Sequence, residues 1–451
     1  DVPPTLVSFA TAVGPTSRVT SPEFKAVGSR VVLLQPKYTD ALLPETESLK
    51  EVYAQVQKLI GEGKAKAVST PGYGCLAESL FKMCVGNRIG LALENVEAEE
   101  LFRPAYGSFV LEVAEDVTVG RTIGHTTEAY ALSLNGDALD LADLQEIWEA
   151  RLEPVMPYRA KGEAVAPISH NEPEARLRHA PIAIAKPRVI IPVFPGTNCE
   201  YDTAQAFEKA GAEAQVLVIN NLTPAAVAES CEALVKAIKN SQIVMLPGGF
   251  SGGDEPDGSA KFIASFFRSP AVTEAVRELL QKRDGLMLGI CNGFQALIKL
   301  GLVPYGDIRP IDQYDPTLTF NTIGRHQSML VRTRIASAGS PWLSRCAVGD
   351  QHTVAISHGE GRFVAPQNVL DELIANGQVA TQYVDLEGVP TMDQSYNPNG
   401  SVLAIEGITS PDGRVFGKMG HSERSGQYLY KNVTGDKYQP IFEGGVDYFK
   451  I

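Results

Sequence analysis

Apolar residues change their spacing repeatedly along this chain, and each change marks an element. The run Arg30-Val31-Val32-Leu33-Leu34 has the length and character of a buried strand. After it, Leu49, Val52, Tyr53, Val56, Leu59 and Ile60 recur at three- and four-residue spacing and stop at Gly61, which predicts an amphipathic helix. A second helix is predicted over about 75–85, presenting Leu76, Leu80 and Met83 and closing at Gly86. Ser108 to Val113 reads as another strand, so the first block is α+β.

Between about 155 and 187 the periodicity lapses. Pro154, Pro157, Pro167, Pro173, Pro181 and Pro187 punctuate a polar stretch that reads as an extended linker. Beyond it strands and helices alternate with short turns, the pattern of a parallel sheet. Strands are predicted at Val189–Phe194, Gln215–Ile219, Ile243–Leu246 and Leu286–Ile290. Helices are predicted over Thr203–Ala210, after the Thr223 cap with Pro224 at its first position, and around Val272–Leu280. The domain reading is therefore 1–165, a linker over 166–187, and 188–451.

Charge and composition narrow the function classes. Forty Lys and Arg against fifty-three Asp and Glu leave a net charge of −13 on 451 residues. That lacks the basic footprint of a nucleic-acid binder and offers nothing to an anionic membrane. No apolar run reaches the roughly 18 residues of a membrane span, and no secretory signal opens the chain. It begins Asp1-Val2-Pro3-Pro4, which reads as a processed chain or a portion of a longer one. Six cysteines, at 75, 84, 199, 231, 291 and 346, form no Cys-x-x-Cys pair. This argues against a metal or disulfide framework and for a reducing, cytoplasmic setting.

One cysteine has a distinctive setting. Gly289-Ile290-Cys291-Asn292-Gly293 joins a predicted strand to a predicted helix, with glycine two residues to either side of the thiol. This is the cysteine version of the nucleophile elbow. It places the sulfur at a helix N-terminus, where free N–H groups stabilise negative charge. Acyl chemistry also needs oxyanion donors. The N–H of Asn292 is one candidate, and the glycine loop Pro247-Gly248-Gly249-Phe250-Ser251 at a neighbouring strand end supplies another. A base is needed too. His421-Ser422-Glu423 emerges from the strand-like Val415–Met419 with a carboxylate two residues on. His358-Gly359-Glu360-Gly361-Arg362 is its rival, and local sequence leaves both open. Gly72-Tyr73-Gly74 before a helix is a weak phosphate-cradle candidate, more simply a turn.

On these motifs together with Pro195-Gly196-Thr197-Asn198-Cys199-Glu200, residues from about 188 onward resemble a class I, triad-type glutamine amidotransferase domain, in particular that of the phosphoribosylformylglycinamidine synthases. The resemblance implies a flavodoxin-like parallel sheet flanked by helices. It implies Cys291 as nucleophile, His421 as base, Glu423 as its orienter, and Gly249 and Asn292 as oxyanion donors. His358, Gly359, Glu360 and Gln295 would then hold L-glutamine. Many relatives read His-Pro-Glu-Arg where this chain has His421-Ser422-Glu423-Arg424, with Gly420 where Pro is often found, which puts the rigidity of that loop in question.

The first block is similar to the C-terminal subdomain of the second synthetase repeat in the large, fused form of these enzymes. Pro3 to Ala10, Ser21 to Lys25 and Gly74 to Asn87 carry that likeness. Taken together, the two resemblances imply a glutaminase that supplies ammonia to upstream synthetase domains. It needs no cofactor or metal itself, while ATP and Mg2+ are bound mainly by domains missing from this chain. Another class I cysteine hydrolase on the same scaffold, or a catalytically idle interaction module, are the alternatives.

Overall fold

The computed structural model describes residues 6–15, 19–153, 162–171, 179–251, 259–426, 429–431 and 433–450. Of the residues singled out in the sequence, Asp1 to Thr5, Pro154, Pro157 and Pro173 lie outside them. The chain divides into two compact units, Asp1–Val155 and Met156–Ile451.

Unit 1 is built on a seven-stranded sheet in the order β2-β4-β1-β5-β3-β6-β7. Its strands are β1 (Arg30–Leu34), β2 (Ala65–Ser69), β3 (Gly90–Leu93), β4 (Phe109–Val113), β5 (Arg121–Thr127), β6 (Ala131–Leu134) and β7 (Asp137–Asp140). Its helices are α1 (Thr46–Gly61), α2 (Cys75–Val85) and α3 (Leu141–Ala150). The unbroken apolar run of β1 follows from burial on both faces. Val31 and Leu33 join the core with Leu76, Leu80 and Met83 of α2, whereas Val32 and Leu34 join that of Val52, Val56 and Leu59 of α1.

Unit 2 carries a nine-stranded sheet in the order β14-β13-β16-β17-β18-β11-β10-β8-β9. Five strands run parallel: β8 (Arg188–Val193), β9 (Glu213–Val218), β10 (Ile243–Leu246), β11 (Leu286–Ile290) and β18 (Val415–Lys418). Helices α4 (Glu200–Lys209), α5 (Pro224–Lys239), α6 (Lys261–Phe267), α7 (Pro270–Arg277), α8 (Asn292–Leu300) and the short α9 (Leu302–Tyr305) lie between them in sequence. Thr223 caps α5 by accepting from Ala226 N–H, and Gly301, at φ +83°, ends α8.

These parallel strands are one part of a larger sheet. β13 (Gln327–Ile335), β14 (Gln351–His358), β16 (Val379–Val384) and β17 (Ile405–Thr409) extend the sheet antiparallel beyond β18, making it mixed. β12 (Thr317–Thr319) and β15 (Arg362–Val364) pair separately, and α10 (Gln367–Ala375) and α11 (Ile441–Asp447) complete the unit. The antiparallel strands hid behind internal polar residues. Thr381 and Gln382 of β16 are fully buried and hydrogen-bonded rather than apolar.

Of the stretch read as a linker, the described parts lie along unit 2. Val165 N–H donates to Pro390 O at 2.7 Å, Ile168 N–H to Gln382 Oε1 at 2.9 Å, His170 N–H to Ala336 O at 2.8 Å, and Ala180 N–H to Tyr448 O at 2.7 Å. The prolines interrupt helix and strand, but the residues between them supply backbone donors to the unit beneath. Among the described residues, no helix is long and apolar enough to cross a membrane.

Candidate active site

Cys291 stands between β11 and α8 at φ +53°, ψ −107°, a conformation in which a residue bearing a Cβ is strained. Its neighbours show why the turn is flanked by glycine. A Cβ on Gly293 would lie 1.9 Å from Leu246 O of β10, and one on Gly289 would lie 2.6 Å from Gly293 O. Helix α8 is pressed so close to the sheet that eight of its nine residues are buried. Cys291 itself is held by its N–H to Lys418 O at 2.8 Å, and its Sγ lies 3.7 Å from Ser357 O of β14.

His421 follows β18 and is fixed to β14 by its N–H to Ala355 O at 2.8 Å. Its Nδ1 faces Glu423 Oε1 at 2.6 Å, both side chains being buried. Burial opposes charge on this ring, yet the Glu423 carboxylate and the thiols of Cys199 and Cys291 hold its pKa well above the ordinary histidine range. Burial likewise works against charge on Glu423, and the His421 ring outweighs it, holding the carboxyl below its usual range. Each partner thus favours the charged form of the other. A Cβ on Gly248 would come within 2.6 Å of His421 Cε1, 3.1 Å of Cys199 Sγ and 3.5 Å of Cys291 Cβ. Only glycine fits among these three side chains.

The loop carrying His421 stands on a buried ion pair. Lys418 Nζ and Glu406 Oε1 are 3.4 Å apart with both side chains fully buried. Lys418 donates to Gly420 O at 2.7 Å and Ser422 Oγ at 2.9 Å, while Gly420 N–H donates to Glu406 Oε1 at 2.6 Å. Ser422 Oγ donates in turn to Gln439 Oε1 at 2.6 Å. Hydrogen bonds, with no proline in the loop, fix its path. A Cβ on Gly420 would meet Val354 Cγ2 at 2.6 Å, so the glycine answers to crowding.

Gly249, at φ +150°, ends the β10 loop against the Pro195–Glu200 turn. A Cβ there would lie 2.6 Å from Gly196 O and Thr197 Cα. Asn292 Oδ1 accepts from Ser251 N–H at 3.3 Å, and its Nδ2 donates to Gln295 Oε1 at 2.9 Å. Gln295 in turn donates to Glu360 O. The elbow helix and the His358–Arg362 loop are thereby tied together, and all four candidates lie in one hydrogen-bonded shell.

His358 and Glu360 are both buried. Asn321, unnoticed in the sequence, staples their loop: its Nδ2 donates to His358 O at 2.8 Å, and its Oδ1 accepts from His358 Nδ1 at 3.1 Å and Gly361 N–H at 3.2 Å. Asn321 N–H also donates to Gly359 O at 2.9 Å. Burial first, then His421 and His326, press the His358 pKa down to about 3. The ring is neutral, with its proton on Nδ1 and a bare acceptor at Nε2 that has no partner in the fold. Glu360 Oε2 accepts from Ser259 N–H at 3.1 Å, and its Oε1 is likewise buried without a partner. Two buried, unsatisfied acceptors on one loop suit a ligand that brings N–H donors.

Cys199, at the start of α4, is a second thiol that sequence reading passed over. Its Sγ lies 3.0 Å from Asn198 Oδ1 and 3.9 Å from His421 Nδ1, and it accepts from Arg424 Nη2 at 3.1 Å. Its presence in the Pro195–Glu200 motif was the available signal. Gly72-Tyr73-Gly74 does not suit a phosphate, because Glu78 Oε2 already occupies Gly74 N–H at 2.9 Å.

A family described as the CobB/CobQ-like glutamine amidotransferase domain matches residues 186–449. The phosphoribosylformylglycinamidine synthase subunit PurQ of Methanococcus maripaludis is 35% identical over 257 residues, covering 56% of this chain and 86% of that protein. The subunit of the same name from Salinibacter ruber is 34% identical over 259 residues, covering 57% of this chain and 95% of that protein. A solved structure of PurLQS from Thermotoga maritima covers 59% of this chain and 100% of that chain at 26% identity, with a TM-score of 0.42.

Proposed function

This chain belongs to the CobB/CobQ-like glutamine amidotransferase family, and from that premise we propose that Cys291, His421 and Glu423 are the triad with which it hydrolyses glutamine. It is a glutamine-dependent amidotransferase carrying the glutaminase role of phosphoribosylformylglycinamidine synthase in purine biosynthesis. The observation that carries the residue assignment is the 2.6 Å His421–Glu423 pair, set around the same glycine as the strained Cys291 elbow.

In this reading the Cys291 thiolate attacks the side-chain amide carbon of glutamine, and the backbone N–H groups of Gly249 and Asn292 take the oxyanion. The C–N bond breaks as His421 gives its proton to the departing ammonia. A γ-glutamyl thioester remains on Cys291. Water then attacks that carbonyl, His421 takes its proton, and glutamate leaves with the thiol restored. Glu423 keeps the imidazole oriented and supports its positive charge throughout. The bare acceptors at His358 Nε2 and Glu360 Oε1 suit the α-ammonium or amide N–H groups of glutamine.

We further assign the chain to the C-terminal portion of the fused, large form of the synthase, with unit 1 belonging to the synthetase half. The partner is then the upstream synthetase region, which would bind ATP and Mg2+ and receive the ammonia. The test is glutamate release from glutamine by the purified chain beside Cys291→Ala, with and without a synthetase half, ATP and formylglycinamide ribonucleotide. Release that appears in the wild type and drops by roughly 10⁴-fold or more in the variant supports the assignment. Release that survives the substitution overturns it. Release in neither, even with the synthetase half, would favour the idle-module alternative.

A further inference from the structure

The sulfur of Cys199, Nδ1 of His421 and the Glu423 carboxylate converge, and their ligand atoms all lie within 4.8 Å of one another in a fully buried cluster. We infer that these three residues form an inhibitory site for a thiophilic divalent cation, zinc above all, which captures the resting glutaminase by its imidazole.

The donor set comes first. One thiolate, one imidazole and one carboxylate make a borderline-soft set that suits zinc and leaves an open fourth position. Spacing comes second. Tetrahedral zinc with bonds of roughly 2.3 Å to sulfur and 2.0 Å to nitrogen needs an S···N separation of about 3.5 Å. Cys199 Sγ and His421 Nδ1 stand 3.9 Å apart, so a few tenths of an ångström closes the site. The 2.6 Å gap from Nδ1 to Glu423 Oε1 opens by more, about 0.7 Å, towards the roughly 3.3 Å that tetrahedral N–Zn–O requires. An unpartnered donor comes third: Glu423 Oε2 is buried with no hydrogen bond.

The surroundings fit as well. Arg424 already donates to the Cys199 sulfur at 3.1 Å, the kind of outer partner that steadies a metal thiolate. A cavity of about 690 Å³, lined by Ala206 and Lys209 of α4, reaches the cluster at Ser422 and Glu423 but not at Cys199 or His421, so an ion approaches from the carboxylate side. Cys291 is not among its lining residues. Sequence spacing argued against zinc, because Cys199 and His421 are 222 residues apart and only the fold unites them.

Binding replaces two protons. The Cys199 thiol proton and the His421 Nδ1 proton leave to solvent as the S–Zn and N–Zn bonds form. With the metal on Nδ1 the neutral ring keeps its remaining proton on Nε2, so it has no free lone pair with which to act as a base and no longer cycles between base and acid. Inhibition therefore arises behind the ring rather than at the thiol that meets glutamine, and glutamine does not compete with it. The inhibitory consequence rests on His421 acting as the base, whereas the binding does not.

The two are separated by using Co2+ as the spectroscopic probe in the full chain carrying Cys291→Ala. One Co2+ per chain should give a thiolate-to-cobalt charge-transfer band that Zn2+ abolishes. Adding Cys199→Ala should weaken binding by more than about 100-fold, beyond what loss of an outer partner gives. Glu423→Gln, which keeps side-chain volume, should weaken it at least tenfold and guards against a merely unfolded double variant. A band that survives loss of Cys199, or no band in the folded Cys291→Ala chain, overturns the proposal. In the active enzyme, Zn2+ inhibition measured against each variant's own metal-free rate should be noncompetitive with glutamine and relieved at least tenfold by Cys199→Ser. Unchanged sensitivity in that variant would place the metal on Cys291 and overturn the proposal, whatever the glutaminase rate.

Discussion

At the scale of single residues, the site is a set of close approaches that permit little change. Gly293 has Leu246 O where a Cβ would go, at 1.9 Å. Gly293→Ala must push α8 off β10, and we expect a loss of about 3 kcal/mol in denaturant unfolding together with lost glutaminase activity. His358 makes a different prediction. Its folded pKa is about 3 against 6.5 for the ordinary ring. Above pH 6.5 it costs nothing. As pH falls from 6.5 towards 3, the unfolded chain binds a proton that the folded ring refuses. Its contribution to stability falls by up to about 1.4 kcal/mol per pH unit. His358→Gln should flatten that acid limb of the stability profile, and an unchanged slope would show that the ring does not stay neutral. Local sequence exposed Cys291, because its flanking glycines obey short-range sterics. It did not separate His421 from His358, because what distinguishes them is a partner. Glu423 sits two residues away in the sequence of one ring, while the other is held by Asn321, 37 residues distant.

At the scale of elements, the loop after β18 is held from beneath by strands the sequence did not reveal. Lys418, Glu406 of β17 and Thr381 of β16 form a buried polar cluster supporting the His421 loop. Removing one member of a buried pair leaves the other charge stranded, so Lys418→Met should destabilise the protein by about 3–5 kcal/mol. Denaturant midpoints check this. A double Lys418→Met, Glu406→Leu variant should recover part of that stability but not full turnover, because Gly420 and Ser422 would still lack their partners. Parallel strands such as β10 and β11 were legible because they are wholly apolar. The antiparallel strands were not, since burial of Thr381, Gln382 and Glu406 depends on cross-strand hydrogen bonds that no local period encodes.

At the scale of the whole molecule, the described part of the proline-rich stretch serves unit 2. Arg334, mostly buried on β13, donates to Ile168 O and to Ser169 Oγ at 3.1 Å. A chain trimmed to begin at 186 would leave that guanidinium only Gln382 Oε1 at 3.2 Å, whereas one trimmed to begin at 156 would keep all three acceptors. We expect the shorter chain to be less stable by about 3 kcal/mol, read from denaturant midpoints of the two fragments. Equal midpoints would return the segment to the role of a plain linker. The prolines suggested a linker because they exclude helix and strand, but a sequence does not show which carbonyls wait for the donors between them. Everything proposed for the reaction turns on Cys291, alone among six cysteines, being the glutamine nucleophile. Treating the full chain with a glutamine-mimicking diazoketone and mapping the adduct by peptide mass spectrometry tests this without relying on turnover. We expect one adduct per chain, on Cys291, suppressed by excess glutamine and greatly slowed in His421→Ala. Modification of Cys199 instead, or of Cys291 at a rate indifferent to glutamine and to His421, would show that the nucleophile has been misassigned.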